Sequence, residues 1–117
     1  MSKPDFSVTQ TVTIAVGASL SGASAKLNGL RLTGVATAAT WDAAKISFAV
    51  SSDGTNFFGL YDEAGAEVGV SAALTGACAV ALNPDDFAGW DYIKVRSGLA
   101  AAATNQVDAT IVTLVFA

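Results

Sequence analysis

The feature that most constrains this chain is a period of two, broken by turn signals about every 8–12 residues. Residues 5–16 set the pattern. Phe6, Val8, Val12, Ile14 and Val16 fall on one side of an extended chain, with Gln10 as the polar interruption. Ser7, Thr9, Thr11, Thr13 and Ala15 fall on the other. Side chains of a strand alternate between the faces of its sheet, so this spacing predicts a long, half-buried strand. The same logic places Ile46, Phe48 and Val50 inward and Lys45, Ser47 and Ala49 outward. That strand ends at Ser51-Ser52-Asp53-Gly54-Thr55. Asp-Gly between alternating runs predicts a hairpin, because glycine tolerates the positive φ such turns require.

The rest of the chain reads the same way. Residues 17–29 are a Gly, Ser and Ala loop or ragged edge, and Leu30 to Thr37 make the second strand. After the hairpin come a return strand, Asn56 to Tyr61, and a turn at Asp62-Glu63-Ala64-Gly65. A short strand follows through Val68 and Val70, then one at 77–82 with Cys78, Val80 and Leu82 on one face. Asn83-Pro84-Asp85-Asp86-Phe87-Ala88-Gly89 has an N-cap, a proline at the first helical position, early acids and a terminating glycine. These are the signs of a single helical turn, with Phe87 plugging the core beneath it. Trp90 to Ser97 is a strand with Ile93 and Val95 inward and Tyr92, Lys94 and Arg96 outward. A small-residue loop at 98–105 leads to the last strand, Gln106 to Phe116. That strand begins with Val107, Ala109 and Ile111 set against Gln106, Asp108 and Thr110. It ends apolar on both faces, since Val112, Leu114 and Phe116 join Ile111 and Val115. Either a loop covers the second face, the preferred reading, or that face meets another subunit. The sum is an all-β, antiparallel β-sandwich, jelly-roll-like, with about eight strands and one helical turn. At 117 residues it is one domain, 1–117, and one core that buries about 65% of the unfolded surface.

Composition excludes much chemistry. With no histidine and one cysteine, the chain has no Ser-His-Asp or Cys-His machinery, no His-ligated metal and no internal disulfide. No enzyme activity and no cofactor are expected. A net charge of −4 lacks the basic footprint of nucleic-acid binding and the polybasic patch of a membrane surface. No apolar run reaches the ~18 residues of a membrane helix. The opening Met1-Ser2-Lys3-Pro4-Asp5 does not read as a signal peptide, so synthesis in a cytoplasm is expected. Charged residues make up 14% of the chain, against about 25% in ordinary soluble domains. A surface of Ala, Thr, Ser and Gly suits a protein packed against other subunits.

Few side chains stand out. The acids between Asp53 and Asp91 suit turns and caps, and none forms the Asp-x-Asp-x-Asp-Gly pattern of a calcium loop. Cys78 between alanines reads as a small buried hydrophobe. Trp41, Trp90, Tyr61 and Tyr92 are candidates for a sugar-binding platform if exposed, and for sheet-edge packing if not. Arg31, Lys45, Lys94 and Arg96 fall on outward pleats and would form a small basic patch if their strands were neighbours.

Three stretches carry a family resemblance. They are Trp41 to Phe57 (with Ser52-Asp53-Gly54), Leu82-Asn83-Pro84-Asp85-Asp86-Phe87-Ala88-Gly89, and Tyr92 to Gly98 ending Arg96-Ser97-Gly98, with Gln106 further on. In this order and spacing, across roughly residues 12–116, the chain resembles small β-sandwich structural proteins of tailed phages and prophages. The resemblance implies a virion component and brings no catalytic residues. It leads to the expectation of a capsid cement or decoration subunit, a homotrimer bound to the major capsid protein. A tail, baseplate or head-spike subunit is the alternative, as is a carbohydrate-binding module on the virion. The contacts expected are Phe6 and Val8 on the first strand, Val112, Leu114 and Phe116 on the last, and Lys94 and Arg96 between. Trp41, Trp90 and Tyr92 are the ligand aromatics of the carbohydrate alternative.

Overall fold

The computed structural model describes residues 8–117. In chain order its strands are β1 (Val8–Ile14), β2 (Ala25–Lys26), β3 (Leu32–Thr37), β4 (Ala44–Ser51) and β5 (Phe58–Gly59). They continue with β6 (Gly69–Leu74), β7 (Ala79–Ala81), β8 (Tyr92–Leu99), β9 (Ala102–Ala103) and β10 (Thr110–Phe116). One 3-10 turn, Pro84–Phe87, separates β7 from β8. Every strand pairing is antiparallel.

A four-stranded sheet has the order β1-β10-β3-β7. A six-stranded sheet has the order β2-β8-β4-β5, with β6 also on β4 and β9 on β8. The short β5 pairs with the Ala49–Val50 end of β4, and β6 with the Ala44–Ser47 end, so the two act as one interrupted strand. β9 folds back on the end of β8 as a small hairpin. The first strand therefore lies beside the last, and each sheet interleaves early and late strands. This is the double-sheet wiring of a jelly roll.

Inward side chains of the two sheets enclose one core. Val12, Ile14, Leu32, Val35, Val112, Leu114 and Phe116 of the first sheet face Ile46, Phe48, Val50, Ile93 and Val95 of the second. The 3-10 turn forms as the sequence predicts. Asn83 Oδ1 accepts the Asp85 N–H at 3.2 Å, and Pro84 occupies the first turn. Phe87 is fully buried and meets Phe48 edge-on, centroids 5.2 Å apart. The Asp-Gly turn is held by Asp53, whose carboxylate accepts the N–H groups of Thr55 and Asn56. Those two bonds, Asn56 foremost, hold the Asp53 carboxyl well below the usual carboxylate range.

Several expectations change. The return strand read at Asn56 to Tyr61 is only Phe58–Gly59, and Cys78, read as buried, is half-buried. The loop at 17–29 is built into the sandwich: Ser21 and Leu27 are buried, and β2 pairs with β8. Ser47 and Ala49 point to the outer face yet are buried, because β8 side chains and the 98–104 hairpin close over them. Ser47 Oγ donates to the Gly98 carbonyl at 2.8 Å and accepts from Arg96 at 3.3 Å.

The last strand is shorter than expected, and its opening phase is inverted. Gln106 and Thr110 face inward with Val112, Leu114 and Phe116, while Val107 and Ile111 face out. The larger apolar set, which contains Phe116, takes the inner face, and the two polar residues carried in with it are hydrogen-bonded. Thr110 Oγ1 accepts from Thr40 Oγ1 at 2.9 Å. Gln106 is a clamp. Its side-chain carbonyl accepts the Asp42 N–H at 2.7 Å, and its amide donates to the Asp42 carbonyl at 3.2 Å and to Ser97 Oγ at 2.8 Å. Among the described residues, no helix is long and apolar enough to cross a membrane.

Candidate functional site: an uncharged sheet face and an aromatic cleft

The register of the four-stranded sheet fixes what its outer face presents. Thr9 lies opposite Val115, which lies opposite Gly34, which lies opposite Ala81. The next row runs Thr11, Thr113, Ala36, Ala79, and a half-row follows with Thr13 and Ile111. These ten positions hold no charge and no side chain longer than isoleucine. Ile111 is 52% exposed, so no loop covers this face at that end. Beyond the strand ends, Val16 and Val107 are 70% and 71% exposed, in the segments joined by the 2.8 Å bond from Gly17 N–H to the Gln106 carbonyl.

The opposite sheet differs in electrostatics. Its outer face carries Lys26, Lys45, Lys94 and Arg96, four of the six basic residues. Most are engaged locally. Lys94 Nζ lies 4.7 Å from the centre of the Phe57 ring, and Lys26 Nζ 5.9 Å from that of Tyr92. Arg96 lies 3.6 Å from the Glu67 carboxylate, with both side chains largely buried. Lys45, Lys94 and Arg96 thus share a face, as the sequence suggests, but Arg31 does not join them. It is on the other side of the sandwich, 2.7 Å from Asp85.

The candidate contact residues sort accordingly. Val112, Leu114 and Phe116 are fully buried in the chain's own core, which corrects their assignment as subunit contacts: they are the inner face of β10. The outer face of the same strand is Ile111, Thr113 and Val115, which the two-faced pattern contained but did not single out. Val8 is exposed at the start of β1, and Phe6 lies outside the described residues. Trp41 is 2% exposed and is a core residue, so it is no part of a ligand platform. Its indole N–H is buried with no partner among the described residues. Tyr92 lies on the basic face against Lys26, with Gly54 beside its ring.

Trp90 instead lines an open cleft with Tyr61. The cleft lies between the turn after β5 and the 3-10 turn, with a volume of about 610 Å³. Asp62, Glu63, Asn83, Asp85 and Asp86 complete its polar rim. Tyr61 is 51% exposed. Asp62 is fixed by accepting the N–H groups of Ala64 and Ala66, both at 2.9 Å. Glu63 and Asp86 have no side-chain hydrogen bond within the described residues. No group of three or more His, Cys, Asp or Glu among the described residues is placed to hold a metal ion.

The fold and these surfaces define an all-β sandwich with jelly-roll wiring. Comparison of the chain with protein-family models, with curated proteins and with solved structures found no match.

Proposed function

We propose that this chain is a virion structural protein, a capsid cement or decoration subunit that binds the major capsid protein and assembles as a homotrimer. The reading rests on the resemblance to tailed-phage structural proteins. The observation that carries it is the uncharged outer face of β1, β10, β3 and β7 in a protein of net charge −4. Charged residues are depleted at the centre of protein interfaces, and this neutral face fits that pattern.

Size decides how such a face would work. Four strands about 4.8 Å apart and three rows about 6.8 Å apart give roughly 400 Å². A stable pairwise interface buries about 800 Å² per partner, so one such contact is weak. Repeated around a trimer and across a shell, weak contacts become strong through effective concentration. The reading therefore expects slight affinity for an isolated capsid protein and firm retention on assembled heads.

The test is light scattering on the purified chain, then co-sedimentation with particles from the strain that encodes it. A trimer that sediments with heads, and is released by Ile111→Lys, supports the reading. A monomer that stays in the supernatant defeats it. Immunogold label at the tail would move the protein to the tail or baseplate.

A further inference from the structure

We propose that the cleft between Tyr61 and Trp90 is a binding site for a neutral oligosaccharide. This is independent of the uncharged face proposed to meet the capsid, none of whose ten positions lines the cleft. The first argument is the exposure of Tyr61. Tyr61 covers Gly59 on one side and is half exposed, while Leu60 beside it faces the core, so part of the Tyr61 side chain is open to a ligand. Tyr61 and Trp90 line the same depression. Aromatic faces carry negative quadrupole density, and the axial C–H bonds of a pyranose present a matching positive patch.

The second argument is the rim. Asp62, Glu63, Asp86 and Asn83 offer oxygen acceptors around the rings. A sugar brings a ring of O–H donors, and an ionised carboxylate accepts several of them as charge-assisted hydrogen bonds. Asp62 is already fixed by its two backbone bonds, so one of these acceptors is preorganised. Glu63 and Asp86 are free to bond a ligand.

The third argument is selectivity. Among the described residues, the cation beside the cleft is Arg31, paired at 2.7 Å with Asp85, itself a lining residue. Sialylated, uronic or phosphorylated sugars would therefore meet like charge and be rejected. A lone ammonium or guanidinium group would be attracted, but a cleft of about 610 Å³ is in the size class of whole small-molecule ligands. The aromatic area and the volume together favour a short chain of neutral pyranoses.

The experiment uses the purified full chain on an array of neutral and anionic glycans, followed by titration of any hit by isothermal calorimetry. Binding of a neutral glycan is expected, weakened about tenfold or more by Tyr61→Ala. Tyr61 is exposed, so that variant should fold. Asp86→Ala should also weaken binding, and Tyr92→Ala, which is not among the residues lining the cleft, should leave it unchanged. Both cleft variants should sediment with heads as the parent does, which separates this proposal from the capsid reading. An empty array overturns it. So does glycan binding indifferent to Tyr61→Ala. Binding of an oligolysine peptide in the cleft with no sugar bound would make it a cation site and would also overturn it.

Discussion

Replacing Gln106 with leucine removes a buried clamp and little volume. The amide makes three side-chain bonds, two to the Asp42 backbone and one to Ser97 Oγ, at 2.7, 3.2 and 2.8 Å. At a net of about 1 kcal/mol each, the loss is about 3 kcal/mol, with the Asp42 and Ser97 groups left unpaired in the interior. A domain of 117 residues is worth roughly 6–17 kcal/mol, so this is between about a fifth and a half of the total. In urea, with a slope of about 1.5 kcal/mol/M, the midpoint of Gln106→Leu should fall by about 2 M at unchanged slope. Gln106→Glu separates the bonds from the packing. The charged form cannot donate to the Asp42 carbonyl, whereas the protonated form can. Burial raises the folded-state pKa of such an acid, so its stabilising form is complete at low pH and is lost as pH rises through that value. The Glu variant should therefore approach the parent on acidification. A Gln106→Leu loss below about 1 kcal/mol would refute the clamp, as would a Glu variant whose deficit does not depend on pH.

Three further predictions concern fold elements around the candidate surfaces. Phe87→Ala should cost about 3–5 kcal/mol by calorimetry, since the ring is fully buried against Phe48 at 5.2 Å. Gly98→Ala should cost more than about 1 kcal/mol in urea, because φ is +88° and a Cβ would sit 2.6 Å from the Thr104 nitrogen; a neutral result would mean the 98–103 hairpin is not held as described. The Asp53 carboxyl is depressed by its turn bonds, so its contribution is complete above its ordinary value of 3.8 and is lost as pH falls below it. The gap in thermal midpoint between the parent and Asp53→Asn should therefore be constant from pH 7 to 5 and narrow from about pH 4 downward.

Local chemistry made much of the fold legible. The alternation through Val12 and Ile14, the capped turn before Phe87 and the Asp-Gly turn each have a cause within a few residues and form, but the first strand stops at Ile14 with Val16 exposed, and the return strand read at 56–61 is only Phe58–Gly59. The face of the last strand was not legible. Val112, Leu114 and Phe116 compete with Ile111 and Val115 at opposite parity, and only pairing with β1 and β3 decides which set turns in. Nor was the role of Gln106, because its partners, Asp42 and Ser97, are set beside it by long-range strand order. Trp41, between polar neighbours, gave no sign that tertiary packing would bury it. The cleft escaped for a similar reason: Tyr61 and Trp90 are 29 positions apart and meet through two turns that the jelly roll brings to one end.

Because β1 pairs with β10 and Val8 lies opposite Phe116, the two ends of the described chain leave the sandwich at the same place. Tension applied between them acts on that end of an antiparallel ladder and opens it one rung at a time, as a zipper opens, instead of shearing all rungs at once. Pulled by its ends, the domain should be mechanically soft. A shell that used it as a tie would have to load it across its sheet faces, where the whole core resists together.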